Sequence, residues 1–252
     1  FSGNQIFPTE KWLNLVRKYN GYLPVRIKAV KEGTKIPTHN VLLKLESTDK
    51  EFPWIVGFLE TLVLQLWYPV TVGTLSYHIK QNIKSYYEKS GCEDSYLGYI
   101  LNDFGVRGTS SMESASIGGA AHLMIFDGSD NVPASDMIIK YYNTDAMYGK
   151  SIPATEHSIC TMQGEEGELD VFKRVLDLYP TGIVACVSDS YNILKTCEQY
   201  WGTDLKTQIL ERNGTLVIRP DSGDPIATLK KVFSILFDKF GYTLNKKGFK
   251  VL

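Results

Sequence analysis

Short apolar runs punctuated by turn residues open the chain. Tyr22 to Ala29 and Val41 to Glu46 read as strands, with the turn-rich Glu32-Gly33-Thr34-Lys35-Ile36-Pro37 between them. The longest apolar stretch, Trp54 to Val70, is entered at Pro53 and closed by Pro69, and it predicts a buried helix from about Trp54 to Trp67. A second helix is expected from about Leu75 to Glu88, ended by Ser90-Gly91.

After about Ser95 the pattern becomes a regular alternation. Tyr96 to Asn102 is a short apolar run; Ser110 and Ser111 then cap a helix carrying Ala115, Ile117 and Ala120. Leu123 to Phe126 is strand-like, and a helix follows near Ala134 to Tyr142. Glu165 to Leu178 is an amphipathic helix and Ile183 to Val187 a buried strand. Asn192 to Tyr200 and Leu205 to Arg212 read as helical, Leu216-Val217-Ile218 as a strand and Ile226 to Phe240 as a helix. Phe249 to Leu252 looks like the start of another strand. Apolar strands alternating with helices imply parallel pairing through right-handed crossovers. Two architectures fit: an open doubly wound sheet and a (β/α) barrel.

The polar clusters sit where the expected strands end: Asp103 to Arg107, Asp127 to Asp130, Glu156-His157, Ser188-Asp189 and Arg219 to Asp224. In parallel α/β folds the ligand site lies at the carboxyl ends of the strands, so five such clusters converge on one mouth. The sharpest is Arg219-Pro220-Asp221-Ser222-Gly223-Asp224-Pro225. There a strand delivers a guanidinium fork suited to phosphate oxygens and a carboxylate able to accept from sugar hydroxyls. The helix beginning at Pro225 adds free N–H groups that favour an anion; the plain alternative is a turn whose aspartate caps that helix. Phe104 offers a face for a flat heterocycle and Arg107 a second anion contact. His157 stands out among four histidines by its strand-end position beside Glu156, and Asp130 can accept from an amide or hydroxyl.

Composition narrows the classes. The 252 residues carry a formal net charge of −1, which gives no electrostatic case for binding nucleic acid or an acidic membrane. The apolar run from Trp54 to Val70 is interrupted by Glu60 and Gln65 and is too short and polar for a membrane span. Four scattered cysteines form no C-x-x-C pair; they fit small buried hydrophobes in a reducing compartment. Walker, dinucleotide-fingerprint and nucleophile-elbow motifs are missing. Asp103-Phe104-Gly105 lacks the partners of a kinase, and Asp127-Gly128-Ser129-Asp130-Asn131 lacks the glycine of a calcium loop.

Taken in order, the strings Gly21-Tyr22-Leu23-Pro24, Ile27-Lys28-Ala29-Val30, Trp67-Tyr68-Pro69-Val70-Thr71, Asp103 to Gly108, Pro153 to Ser158, Val187 to Tyr191 and Arg219 to Gly223 resemble the nicotinamide phosphoribosyltransferases, of the type II phosphoribosyltransferase family. The resemblance covers essentially the whole chain. It implies an irregular (β/α) barrel with an accessory mixed α/β domain, divided here as 1–95 and 96–252. It implies a cytoplasmic homodimer with a shared active site. The implied reaction transfers the phosphoribosyl group of phosphoribosyl diphosphate to nicotinamide, with Mg²⁺ accompanying the diphosphate and ATP as coupling nucleotide. On the same resemblance Phe104 stacks on the pyridine, Asp130 bonds the carboxamide, Ser151 lines the pyridine pocket and Arg107 contacts phosphate. His157 is the histidine phosphorylated in the ATP-coupled cycle. Arg219 and Asp221 belong to the loop that binds the phosphoribosyl substrate. No dedicated protein metal cage is implied.

Two departures matter. A pocket position usually held by serine in the family is Ala185. Family chains also run well past Leu252, so little or no activity is expected from this chain alone. The competing functions are a nicotinate phosphoribosyltransferase, disfavoured by the carboxylate of Asp130, and a non-catalytic or split-enzyme chain needing a complement.

Overall fold

The computed structural model describes residues 7–252. In chain order the regular elements are α1 (Thr9–Tyr19), β1 (Val25–Ala29), β2 (Leu43–Ser47), α2 (Ile55–Leu64), α3 (Trp67–Ser90), α4 (Met112–Leu123), α5 (Val132–Tyr141), α6 (His157–Thr161), α7 (Glu168–Leu178), β3 (Thr181–Val187), α8 (Ile193–Lys195), α9 (Lys206–Glu211), β4 (Asn213–Arg219), α10 (Pro225–Phe240), β5 (Thr243–Leu244) and β6 (Lys250–Val251). Short 3₁₀ turns occupy Asp94–Tyr99 and Gly105–Gly108, and a π-helix occupies Thr196–Asp204. The chain forms two compact units. One takes the chain up to Ile79 together with Gly105–Phe126 and Asn131–Met147; the other takes Lys80–Phe104, Asp127–Asp130 and Tyr148–Leu252.

In the first unit β1 and β2 pair antiparallel, Val25 opposite Ser47 and Ala29 opposite Leu43. Leu15 of α1 is buried with Phe52 and Ile55, and the Trp12 ring meets Trp54 edge-on at 5.0 Å. Pro69 does not end a helix. It sits in the first turn of α3, where its missing N–H has no intrahelical partner to lose, so the helix runs on to Ser90. Ser111 caps α4, its Oγ accepting from the Ser114 N–H at 3.1 Å. The strand expected over Leu123 to Phe126 is absent. The N–H groups of Ile125 and Phe126 both return to the His122 carbonyl, which makes this apolar run the end of a helix. His122 is structural: its buried ring stacks on Phe126 at 5.4 Å and meets the Ser76 hydroxyl at 3.3 Å.

Small residues let α4 and α5 approach closely: a methyl on Gly119 would overlap Asn131 and Ala134. Asn131 accepts from the Ala134 N–H at 3.1 Å, capping α5, and donates to the Ala115 carbonyl at 2.9 Å.

The second unit holds the parallel sheet. β3 and β4 pair in parallel from Thr181 opposite Asn213 to Val187 opposite Arg219. Isolated parallel bridges extend the order on one side: Ala154 with Ala185, Gly128 with Lys150, and Asp103 with Ser129. Lys150 and Ala154 lie four residues apart on one segment. The segments around Asp103, Gly128 and Lys150–Ala154, then β3 and β4, therefore lie side by side in sequence order, all parallel. No closed sheet forms among the described residues. The expected barrel thus reduces to a mixed α/β fold with a run of parallel segments. The apolar end of the chain pairs antiparallel as β5–β6, Leu244 opposite Lys250, because Gly248 (φ +81°) allows a tight reversal.

Behind the sheet Phe172, Leu176, Cys186, Val187, Cys197, Trp201 and Leu236 form one core, with Phe172 stacked on Trp201 at 4.4 Å. Cys160, Cys186 and Cys197 are buried free thiols, as expected of cysteines used as small hydrophobes, whereas Cys92 is exposed and departs from that expectation. By length and composition alone the stretch Ile55–Ser90 could cross a membrane. It breaks at Gln65–Leu66, however, and its second half carries His78, Lys80, Gln81, Asn82, Lys84, Glu88 and Lys89.

Candidate active site at the ends of the parallel segments

Parallel pairing puts all carboxyl ends on one side of a sheet, so the polar clusters of the second unit share an edge. His157, Asp189 and Asp221 recur 32 residues apart, one strand–helix unit each. His157 opens α6, Asp189 lies two residues past β3, and Asp221 two residues past β4.

His157 Nε2 lies 3.2 Å from Asp189 Oδ1, and its Nδ1 lies 3.8 Å from Asp221 Oδ2. The other Asp189 oxygen accepts from the Ser222 hydroxyl at 2.5 Å and from the Asp221 backbone N–H at 2.9 Å. Burial pushes the Asp189 carboxyl up, but the Ser222 hydroxyl, the Asp221 N–H and His157 outweigh it. The group is held below the usual carboxylate range. Asp189 is 3% exposed in its side chain while His157 is 44% exposed. An ionised, fixed acceptor therefore stands behind an accessible imidazole.

Arg219 completes this group. Its Nη2 donates to the Thr155 carbonyl at 3.1 Å, while its buried Nε has no hydrogen-bond partner among the described residues. Such a guanidinium still has donors for an anion. The α10 N-terminus is capped by Asp224, whose Oδ1 accepts from the Ala227 N–H at 2.7 Å. One of the N–H groups expected to favour an anion is therefore already used.

The second group gathers around Asp130. The Asp130 N–H donates to the Asp103 carbonyl at 3.0 Å, and the Asp103 N–H to the Gly128 carbonyl at 3.2 Å. Asn102 donates from Nδ2 to Asp130 Oδ2 at 3.2 Å. Phe104 is 56% exposed and follows directly. Ser151 is exposed, one residue beyond the Lys150 pairing with Gly128. Arg107 belongs to the first unit, on the 3₁₀ turn Gly105–Gly108.

Residues 99–252 match the model of the Nicotinate phosphoribosyltransferase (NAPRTase) family. The chain belongs to this family. It is 44% identical over 244 residues to a nicotinamide phosphoribosyltransferase of Xanthomonas campestris pv. campestris (strain 8004), covering 96% of this chain and 52% of that protein. Against the nicotinamide phosphoribosyltransferase of Acinetobacter baylyi (strain ATCC 33305 / BD413 / ADP1) it is 34% identical over 253 residues, covering 92% and 50%. Against that of Mycoplasma pneumoniae (strain ATCC 29342 / M129 / Subtype 1) it is 30% identical over 252 residues, covering 93% and 53%. The chain spans about half the length of the curated relatives it matches. The resemblance read from the residues is thus borne out at the level of family.

Of the residues expected from sequence, His157, Arg219 and Asp221 come together in this NAPRTase-family chain, and Asp130, Phe104 and Ser151 lie along the same run of segment ends. Three contributors have no role that sequence pattern assigns. Asp189 and Ser222 carry a usable signal, their place just past a strand. Trp201 carries none: its Nε1 donates to Ser188 Oγ at 3.1 Å from within the π-helix, anchoring the residue before Asp189.

Proposed function

We propose that this chain takes part in transferring the phosphoribosyl group of phosphoribosyl diphosphate to nicotinamide, giving nicotinamide mononucleotide and diphosphate. The observation that carries the reading is His157 held between Asp189 and Asp221 beside the under-used guanidinium of Arg219. The activity for which the relatives are named supports the same chemistry.

In this reading the pyridine nitrogen forms a bond to C1 of the ribose as the bond from C1 to diphosphate breaks. Negative charge grows on the leaving diphosphate, where the Arg219 guanidinium offsets it, and positive charge on the ribose. Asp221 accepts from ribose hydroxyls. Phe104 and Ser151 flank the pyridine, Asp130 accepts from the carboxamide, and Arg107 contacts phosphate.

His157 takes the terminal phosphoryl group of ATP in the coupled cycle. With Nε2–H donating to Asp189, the imidazole lone pair lies on Nδ1, the nitrogen that bonds phosphorus as the nucleoside diphosphate leaves.

Magnesium carried by the diphosphate would neutralise charge there. Asp221 is the exposed carboxylate available to it. Among the described residues no group of three or more His, Cys, Asp or Glu could hold a metal. Such an ion is held through one or two carboxylates, water and substrate phosphates.

The fuller architecture is part of the proposal: a type II phosphoribosyltransferase barrel to which 96–252 contributes, an accessory region over 1–95, and a cytoplasmic homodimer with a shared site. The order of the parallel segments and the family match over 99–252 support the barrel part of this reading. The 252-residue chain alone is expected to turn over weakly or not at all. The relatives are about twice its length.

The second reading, transfer to nicotinate, is favoured by the family's name and opposed by the carboxylate of Asp130, which repels a nicotinate carboxylate. Product analysis with both pyridines, phosphoribosyl diphosphate, Mg²⁺ and ATP decides. Nicotinamide mononucleotide is expected, weakly from the chain alone. Preferential nicotinate mononucleotide would overturn the reading. Product only after adding a polypeptide equivalent to the relatives' remaining length would identify a split enzyme.

A further inference from the structure

Asn102 stands beside Asp130 with no part in the proposed reaction. Its Nδ2 donates to Asp130 Oδ2 at 3.2 Å. On its other side the amide is confined by a glycine, since a methyl on Gly128 would lie 2.6 Å from Asn102 Oδ1. Gly128 has no need of left-handed backbone, so the close approach of the amide is the reason available for glycine there. The backbone beneath is fixed as well, through Asp103 N–H to the Gly128 carbonyl and Asp130 N–H to the Asp103 carbonyl.

We infer that Asn102 is a positioning residue that sets the discrimination of the Asp130 site between a pyridine carboxamide and a pyridine carboxylate. This rests on the reading of that site as a nicotinamide site. The physical argument concerns freedom of rotation. Asp130 is exposed, and an exposed carboxylate left to itself turns into solvent when a negative ligand group approaches. A carboxylate that can turn away rejects little. Asn102 occupies Oδ2 and holds the group in one rotamer, so Oδ1 faces the ligand. A carboxamide donates an N–H to that oxygen; a carboxylate has only lone pairs and charge to offer and cannot displace it. Repulsion held in place is what makes a difference of affinities.

The test measures dissociation constants of nicotinamide and nicotinate for the 252-residue chain by ligand-detected NMR, with circular dichroism to confirm folding. The unsubstituted chain is expected to prefer nicotinamide. Asn102→Ala removes the donor, and Gly128→Ala displaces it by contact with the Asn102 amide while leaving both residues of the pair in place. Each is expected to reduce the preference about tenfold, the scale of one hydrogen bond to a charged group. Asn102→Gln, which keeps a donor, should restore part of it. A folded Asn102→Ala or Gly128→Ala chain with the original preference overturns the inference and leaves the nicotinamide reading standing. A chain that binds neither pyridine, or both equally, overturns the nicotinamide reading and this inference with it. If Asn102→Ala fails to fold, the preference of Gly128→Ala decides between these outcomes.

Discussion

Asp189 accepts on one oxygen from His157, 3.2 Å away, and on the other from Ser222 at 2.5 Å. The buried carboxylate thereby couples the start of α6 to the loop after β4. Removing its charge leaves the shape of the side chain and changes what His157 can do.

Asp189→Asn is expected to lower His157 phosphorylation by ATP about ten- to hundredfold, the worth of one hydrogen bond to a charged acceptor. Acid-labile phosphate bound to the purified chain is the measurement. Unchanged labelling would mean that Asp189 does not orient the ring.

Arg219→Lys keeps the charge and loses the planar fork. The dissociation constant of phosphoribosyl diphosphate should rise about tenfold or more while that of nicotinamide stays the same. Calorimetric titration with each ligand reads both, and equal losses for the two would contradict a role at the phosphate.

Glu168, 2% exposed with Oε1 lacking a hydrogen-bond partner, has its carboxyl raised by burial and then by negative charge on the nearby Cys160 sulfur to about 7, from 4.5 in the unfolded chain. The folded state binds this proton more tightly. Its stabilising effect is complete below pH 4.5 and is lost as pH rises through about 7, by at most about 3 kcal/mol. Glu168→Gln should flatten the fall in melting temperature between about pH 5 and 8 and raise it most at the upper end. A substitution that lowers melting temperature equally at both ends of that range would refute this.

Gly214 faces Gly182 across β3 and β4, and a methyl there would overlap the Gly182 carbonyl oxygen. Arg212 fastens the same corner, donating to the carbonyls of Tyr179, Thr181 and Gly182 at 2.7, 2.9 and 2.7 Å. Gly214→Ala should cost about 1–3 kcal/mol in urea unfolding, because backbone rather than a flexible side chain must give way. A loss below about 0.5 kcal/mol, the range of ordinary surface substitutions, would show that the strands separate easily there.

Much of the fold is legible in single stretches of chain. Caps such as Ser111 and Asp224, the buried second half of β3 and the partly buried β4 each depend on a few neighbouring residues, and short-range signals report them well. Where pattern and structure part, the causes are local too. Pro69 reads as a stop in the pattern, yet a proline in a first turn breaks no helical bond. Leu123 to Phe126 reads as a strand because short apolar runs look alike in strands and helix ends.

By itself the sequence marked a candidate site at the ends of the expected strands, with His157, Arg219 and Asp221 among the residues to watch. Only the tertiary structure decided which of these meet. His157 and Asp189 touch across 32 residues because parallel register brings Ala154 to Ala185 and Val187 to Arg219, and because Trp201 pins Ser188 from the π-helix. Register and packing are sums over distant contacts that no local pattern carries. For the same reason Asn102, an inconspicuous neighbour of Phe104 in the chain, gained its meaning only when Gly128 and Asp130 closed around it.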